Sequence, residues 1–185
     1  NVSLSAVTVA FSKNDRQSDD SFEEQKLAIL TCVNAIDSHC NILNQNVYTK
    51  NVAIRGFPGG GKTWCMMFIA IYAISKKLNV ITTAMMAKRA LQLGGRHWHK
   101  FLCIPTGQNL TPHRRAELAI IQLLRDPKRL DFVRTVNVML CDEMGQVSAE
   151  FLATFDIILR RIRNNNIFCG GVLIICTMDH TQIQP

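Results

Sequence analysis

A chain of 185 residues with 48% hydrophobic content is long enough for one well-buried core, and no second block of composition asks for another domain. Its net charge of +7 and pI near 9.2 support a polyanionic partner without requiring one. Seven cysteines, an odd number with no C-x-x-C pair, exclude a recognisable disulfide framework or zinc site and read as small buried residues in a reducing, intracellular compartment. The longest apolar run, Trp64 to Ile74, falls well short of the about 20 residues that cross a bilayer. No membrane partner is expected, and the run reads as a buried helix. Asn1 stands where an initiator methionine would, with no signal-like start, so the chain reads as an internal piece of a longer protein.

Residues 1–21 mix short apolar patches with a polar run from Ser12 to Ser21 and read as a peripheral segment. From Phe22 the spacing becomes helical: Leu27, Leu30, Val33 and Ile36 share one face, with Ser21 as N-cap and Glu23 and Glu24 in the first turn. Val52-Ala53-Ile54 predicts a buried parallel strand, and Lys62 to about Lys77 a helix. A second strand is expected over Leu78 to Thr83, and a second helix over Ala84 to Leu93, closed by Gly94-Gly95. Strand and helix alternate, which is the α/β pattern.

Lys88, Arg89, Arg96, His97 and His99 are interleaved with Trp98 and Phe101. Cations that hold a backbone beside rings that stack on bases suit single-stranded nucleic acid, and a solvated helix end with both rings in the core suits the same spacing. Between Thr106 and Arg134 a further basic set surrounds a helix with Leu118, Ile121 and Leu124 inward, and reads as a solvated face. Val136 to Cys141 predicts another buried strand. Ser148 caps a helix whose Phe151, Leu152, Phe155, Ile158, Leu159 and Ile162 form one apolar stripe, with Asp156 and Arg160 paired on its other side. Gly171 to Cys176 is the last predicted strand, with Asp179, His180 and Gln182 just past its end, on the ligand edge of the sheet.

Two stretches carry chemistry. Gly56-Phe57-Pro58-Gly59-Gly60-Gly61-Lys62-Thr63 fits the phosphate-loop pattern G-x-x-x-x-G-K-[ST] between a strand and a helix. Glycines at 56, 59, 60 and 61 let backbone N–H groups point into one anion-holding concavity. Lys62, as an exposed ligand, reaches the outer phosphates, the Thr63 hydroxyl ligates magnesium, and the following helix aims its positive end at the same place. Asp142-Glu143 ends an apolar strand, so in a parallel sheet it opens beside that loop. Asp142 is placed to hold the magnesium and Glu143 to orient and deprotonate an attacking water. A signalling GTPase would need an N-K-x-D after a later strand, and none occurs. A nucleotide kinase leaves the acidic pair unexplained.

Three separated stretches then resemble one family, the petite-integration-frequency (PIF) type of superfamily-one DNA helicases, with relatives encoded by Helitron transposons. "CDEMGQVSAEFLATFDIILRRIR" resembles its acidic motif and helix, "FCGGVLIICTMDHTQIQP" its glutamine motif, and "TTAMMAKRALQLGGRHWHKFLCIP" its strand-contacting motif. The resemblance covers Phe22 to Pro185 and implies the first RecA-like motor lobe of a helicase, using ATP and Mg2+ to move 5′-to-3′ on single-stranded DNA and at junctions. A second motor lobe would supply an arginine finger. Residue by residue it implies adenine contact by Gln25, which on spacing alone reads as a solvated glutamine. It implies phosphate sensing by Gln182, and strand contact by Thr83, Lys88, Arg89, Arg96 and His99. It also implies work in DNA repair, recombination or telomere maintenance, in a nucleus or mitochondrion. The sequence departs from the family pattern at Met85-Met86-Ala87, Gly145-Gln146 and Met178. A loader-type ATPase and a DNA-binding transposon remnant are the rival readings.

Overall fold

The computed structural model describes residues 7–10, 23–42, 50–84, 94–106 and 109–179. Six strands form one sheet: β1 (Val7–Ala10), β2 (Val52–Gly56), β3 (Val80–Ala84), β4 (Arg96–His97), β5 (Val138–Asp142) and β6 (Leu173–Asp179). They lie in the order β1-β2-β6-β5-β3-β4, and every pairing is parallel. The helices are α1 (Glu23–Ile42), α2 (Lys62–Ser75), α3 (Trp98–Leu102), α4 (Pro112–Leu124), α5 (Pro127–Thr135) and α6 (Ala149–Arg163). The expected α/β class is therefore the observed one.

Strand side chains alternate between faces, and the core divides accordingly. Val52, Ile54, Val138, Leu140, Leu173 and Ile175 face α1 and α2, whereas Ala53, Ile81, Met139, Cys141, Ile174 and Cys176 face α3 to α6. Both faces are covered, which is why the central strands carry near-continuous apolar runs. At the sheet's lower edge, buried Asn51 accepts the amide of Ile174 through Oδ1 at 2.9 Å. This bond holds the starts of β2 and β6 in register.

Several expectations change. Val7–Ala10, inside the stretch read as peripheral, pairs in register with Val52 to Arg55 as an edge strand. The α1 stripe is rotated: Ala28, Cys32, Ile36 and His39 are buried, while Leu27 and Leu30 are exposed. Small residues sit inward because α1 packs closely on both α2 and β2. The expected burial of Trp64 to Ile74 holds for one side only. Cys65, Met66, Ile69 and Ala73 are buried, but Trp64, Met67, Phe68, Ile71 and Ile74 are exposed. The single helix expected before Arg134 is two, broken at Arg125 and Asp126 ahead of Pro127, and Ala116, Ala119 and Leu123 face inward in place of Ile121 and Leu124. Caps at Thr111, Asp126 and Ser148 start α4, α5 and α6, each satisfying an otherwise free helical amide. The α6 stripe and the Asp156–Arg160 pair, at 2.9 Å, stand as expected. Ala84, expected to open a helix running to Leu93, is instead the last residue of β3, and the rest of that helix, with Ser21, lies outside the described residues.

Two local features hold the fold tightly. Arg163, partly buried at the end of α6, donates through Nε to the carbonyl of Gly170 at 2.8 Å and through Nη1 to those of Arg134 and Val136 at 2.7 and 2.8 Å. Burial lowers its pKa from the ordinary arginine value. Gly95 lies against β3 so closely that a Cβ would stand 2.0 Å from the Thr82 carbonyl oxygen. Gly95→Ala is therefore expected to separate β4 from β3 and to lower stability by about 1 to 3 kcal/mol. Urea unfolding of the variant checks this, and an unchanged midpoint would contradict the close approach.

Candidate functional site

In a parallel sheet all strand ends of one sense open on the same edge, and there the carboxyl ends of β2, β6, β5 and β3 form a row. Gly56 is level with Asp179, and Ala84 with Asp142. The loop of residues 56–63 leaves β2 and enters α2 at this edge. Gly59 and Gly61 have φ of +82° and +81°, a region that L side chains avoid. A Cβ at Gly59 would meet nothing within 4 Å, so glycine is needed there for its φ and the space before the loop is open. Gly60 N–H turns back to the Phe57 carbonyl at 3.2 Å, and Gly61 caps α2 without a side-chain bond. The first-turn amides of α2 therefore have no side-chain cap competing with an anion.

Lys62 is not the exposed ligand the sequence suggests. It is 8% exposed, and its ammonium donates to the carbonyls of Gly56 and Phe57 at 3.0 and 2.8 Å and pairs with Asp179 Oδ1 at 2.5 Å. Gln25 on α1 is brought to the loop: Nε2 donates to the Gly60 carbonyl at 3.2 Å. Its Oε1 is buried without a hydrogen-bond partner. A buried orphan acceptor is costly, and one at the mouth of a phosphate loop fits the exocyclic amine of a nucleotide base.

Asp142, 5% exposed at the end of β5, accepts through Oδ1 a short hydrogen bond from the Thr177 hydroxyl. No described residue donates to Oδ2. The same Thr177 oxygen accepts the Glu143 amide at 3.1 Å. Glu143 adopts φ 57°, a left-handed conformation that turns the chain sharply off β5. Thr177 thus sets both acidic residues, a role that its ordinary position within a strand does not signal. Thr63, half-buried in the first turn of α2, and Asp142 offer a hydroxyl and a carboxylate oxygen. That donor set suits magnesium, which takes one or two protein oxygens together with phosphate and water.

The expected strand-contacting residues divide. Thr83 is corrected: it is fully buried, and its hydroxyl donates inward to the Leu140 carbonyl at 3.3 Å. Trp98 and Phe101 are core residues, Trp98 lying edge-on to Phe151 and Phe155, so neither ring stacks on a base. Arg96 is exposed. His99 is half-buried, 4.8 Å from the Phe151 ring and bonded through Nδ1 to the Ile104 carbonyl at 3.3 Å. Burial lowers its pKa. Lys88, Arg89 and Gln182 lie outside the described residues. All seven cysteines are free; Cys32, Cys65, Cys141, Cys169 and Cys176 are buried as expected, whereas Cys40 and Cys103 are only partly so, and burial raises the thiols of Cys32 and Cys176 to about 12. Among the described residues no helix is long and apolar enough to cross a membrane.

Comparison with known proteins agrees with this geometry. A sequence profile described as "PIF1-like helicase" matches residues 22–185. The ATP-dependent DNA helicase Pif1 of Psychrobacter sp. is 26% identical over 136 residues, covering 74% of this chain and 20% of the relative. PIF1 of Saccharomyces cerevisiae is 28% identical over 137 residues, covering 73% and 15%. The chain thus spans about a fifth or less of these two relatives. The fold is also that of the Pif1 helicase from Candida albicans, with a TM-score of 0.67 at 21% identity over 90% of this chain and 33% of that one. Bacteroides sp. Pif1 in complex with ADP-AlF4 gives 0.61 at 23% identity, over 82% and 33%. With the profile spanning most of its length, the chain belongs to the PIF1-like helicase family.

Proposed function

We propose that this chain is the ATP-binding motor lobe of a DNA helicase that couples ATP hydrolysis to movement along single-stranded DNA and to unwinding. The observation that carries the reading is the row of strand ends that brings the phosphate loop of β2 beside the Thr177-fixed acidic pair of β5. A helicase family profile over residues 22–185 adds to it. In this reading Gly56, Gly59, Gly60, Gly61, Lys62 and Thr63 hold the phosphates, Gln25 the base, and Thr63 with Asp142 a magnesium ion. A magnesium ion held there would supply charge stabilisation to the phosphate oxygens. Glu143 takes the proton of the attacking water, and Gln182 senses the terminal phosphate.

Among similar structures, Bacteroides Pif1 has been determined bound to ssDNA, and another is described as the structural basis for DNA unwinding at forked dsDNA by two coordinating Pif1 helicases. Here Arg96 and His99, with Lys88 and Arg89, are assigned to the strand. We further assign 5′-to-3′ polarity, a second motor lobe that completes the site with an arginine, and a role in repair, recombination or telomere maintenance in a nucleus or mitochondrion. The test is ATP hydrolysis measured with and without a single-stranded oligonucleotide. Stimulation by the oligonucleotide, and loss of hydrolysis in Lys62→Ala, are expected. A folded Lys62→Ala protein that hydrolyses ATP at the parent rate would remove the phosphate-loop assignment.

A further inference from the structure

Lys62 has three N–H donors, and each meets an acceptor of the protein itself: Asp179 at 2.5 Å and the carbonyls of Gly56 and Phe57. The ammonium is folded back on the stem of its own loop. Its ionic partner is not on the strand of the acidic pair but on β6, where Asp179 stands directly across from Gly56. The two side chains are 9% and 15% exposed, so little solvent screens the pair. Asp142 is held by the Thr177 hydroxyl and is not paired with Lys62. Asp142 and Asp179 therefore have separate attachments, and of these two Asp179 engages the lysine.

We propose that Asp179 is a positioning residue that competes with the outer phosphates of the nucleotide for Lys62, so that nucleotide entry is an exchange of one ammonium between a carboxylate of β6 and phosphate. The inference rests on the reading of residues 56–63 as a phosphate loop. Two effects act together. The ion pair must be broken before Lys62 reaches phosphate, and the carboxylate then left unpaired repels the incoming charge. The repulsion grows with the charge of the ligand, so a triphosphate feels Asp179 more than a diphosphate. Because Asp179 is the last residue of β6, losing Lys62 also releases the strand end from which the chain continues towards Gln182.

Fluorescence titration of the full chain with a labelled non-hydrolysable ATP analogue, and separately with labelled ADP, tests the exchange. Asp179→Asn keeps the shape and an acceptor oxygen but removes the charge. It is expected to bind the triphosphate about tenfold more tightly, with a smaller gain for the diphosphate, whereas Asp179→Glu stays near the parent. In a Lys62→Met background the gain from Asp179→Asn should shrink to the part that repulsion alone supplies, because no ion pair is left to break. Unchanged or weaker binding in an Asp179→Asn protein with the parental melting temperature would overturn the proposal. So would a gain that persists at full size without Lys62. If Asp179→Asn does not fold, Asp179→Ser carries the same comparison, and failure of both to fold makes the pair structural and overturns the proposal too. Lys62→Met alone separates the two levels: undiminished triphosphate affinity there removes the phosphate-loop reading itself, while weakened affinity without a gain from Asp179→Asn removes only the exchange.

Discussion

Glu143→Gln is expected to lower ATP turnover by about 10² to 10⁴-fold while nucleotide affinity stays close to that of the parent. In the proposed role the carboxylate acts on water in the transition state and not on the bound nucleotide, so its loss should appear in kcat rather than in binding. The backbone supports a local effect. Glu143 is placed by its own amide, bonded to Thr177 at 3.1 Å, and by its left-handed φ, and neither feature depends on the carboxylate. Single-turnover hydrolysis beside an equilibrium titration reads the two quantities. Parallel loss of both would assign Glu143 to nucleotide binding.

The second large effect is on stability. Arg163→Met is expected to cost on the order of 3 to 5 kcal/mol, because one partly buried guanidinium serves the carbonyls of Gly170, Arg134 and Val136. Removing it leaves these acceptors without their charged donor. It also frees the end of α6 from the turn that feeds β6 and from the segment that feeds β5. Arg161→Met, two residues earlier on an exposed position, should stay within about 0.5 kcal/mol. Urea unfolding of the pair of variants measures the difference, and similar midpoints would mean that the Arg163 bonds contribute no more than a solvated surface.

The parts of the site that lie in short contiguous stretches are legible in the amino-acid sequence: the loop from Gly56 to Thr63, and Asp142-Glu143 at the end of a strand. Each motif demands particular residue types at fixed spacing, so it stands out without any help from periodicity. The bonds that hold these residues are not legible. Asp179 is expected at the ligand edge, but its pairing with Lys62, and the reach of Thr177 to Asp142, exist only because β6 lies between β2 and β5, and a strand order is not written in any one segment. Helix orientation fails for a different reason. The Trp64 to Ile74 run is apolar all round, so it names no buried face, and in α1 the closely packed side belongs to Ala28 and Cys32 rather than to the larger Leu27 and Leu30. Thr83 is implied by the family resemblance, but the pleat of β3 turns its side chain inward.

The place of β6 in the strand order has a dynamic consequence. It has a neighbour on each side, β5 along Leu173 to Cys176 and β2 along Ile175 to Asp179, whereas β1 and β4 each have one neighbour among the described strands. Local opening begins where backbone bonds are few and solvated, and reaches a doubly paired central strand only when the whole sheet separates. Thr177 and Asp179 therefore ride on a late-opening unit of the molecule, and the lysine and the acidic pair they hold remain aligned while the margins of the sheet fray and re-form.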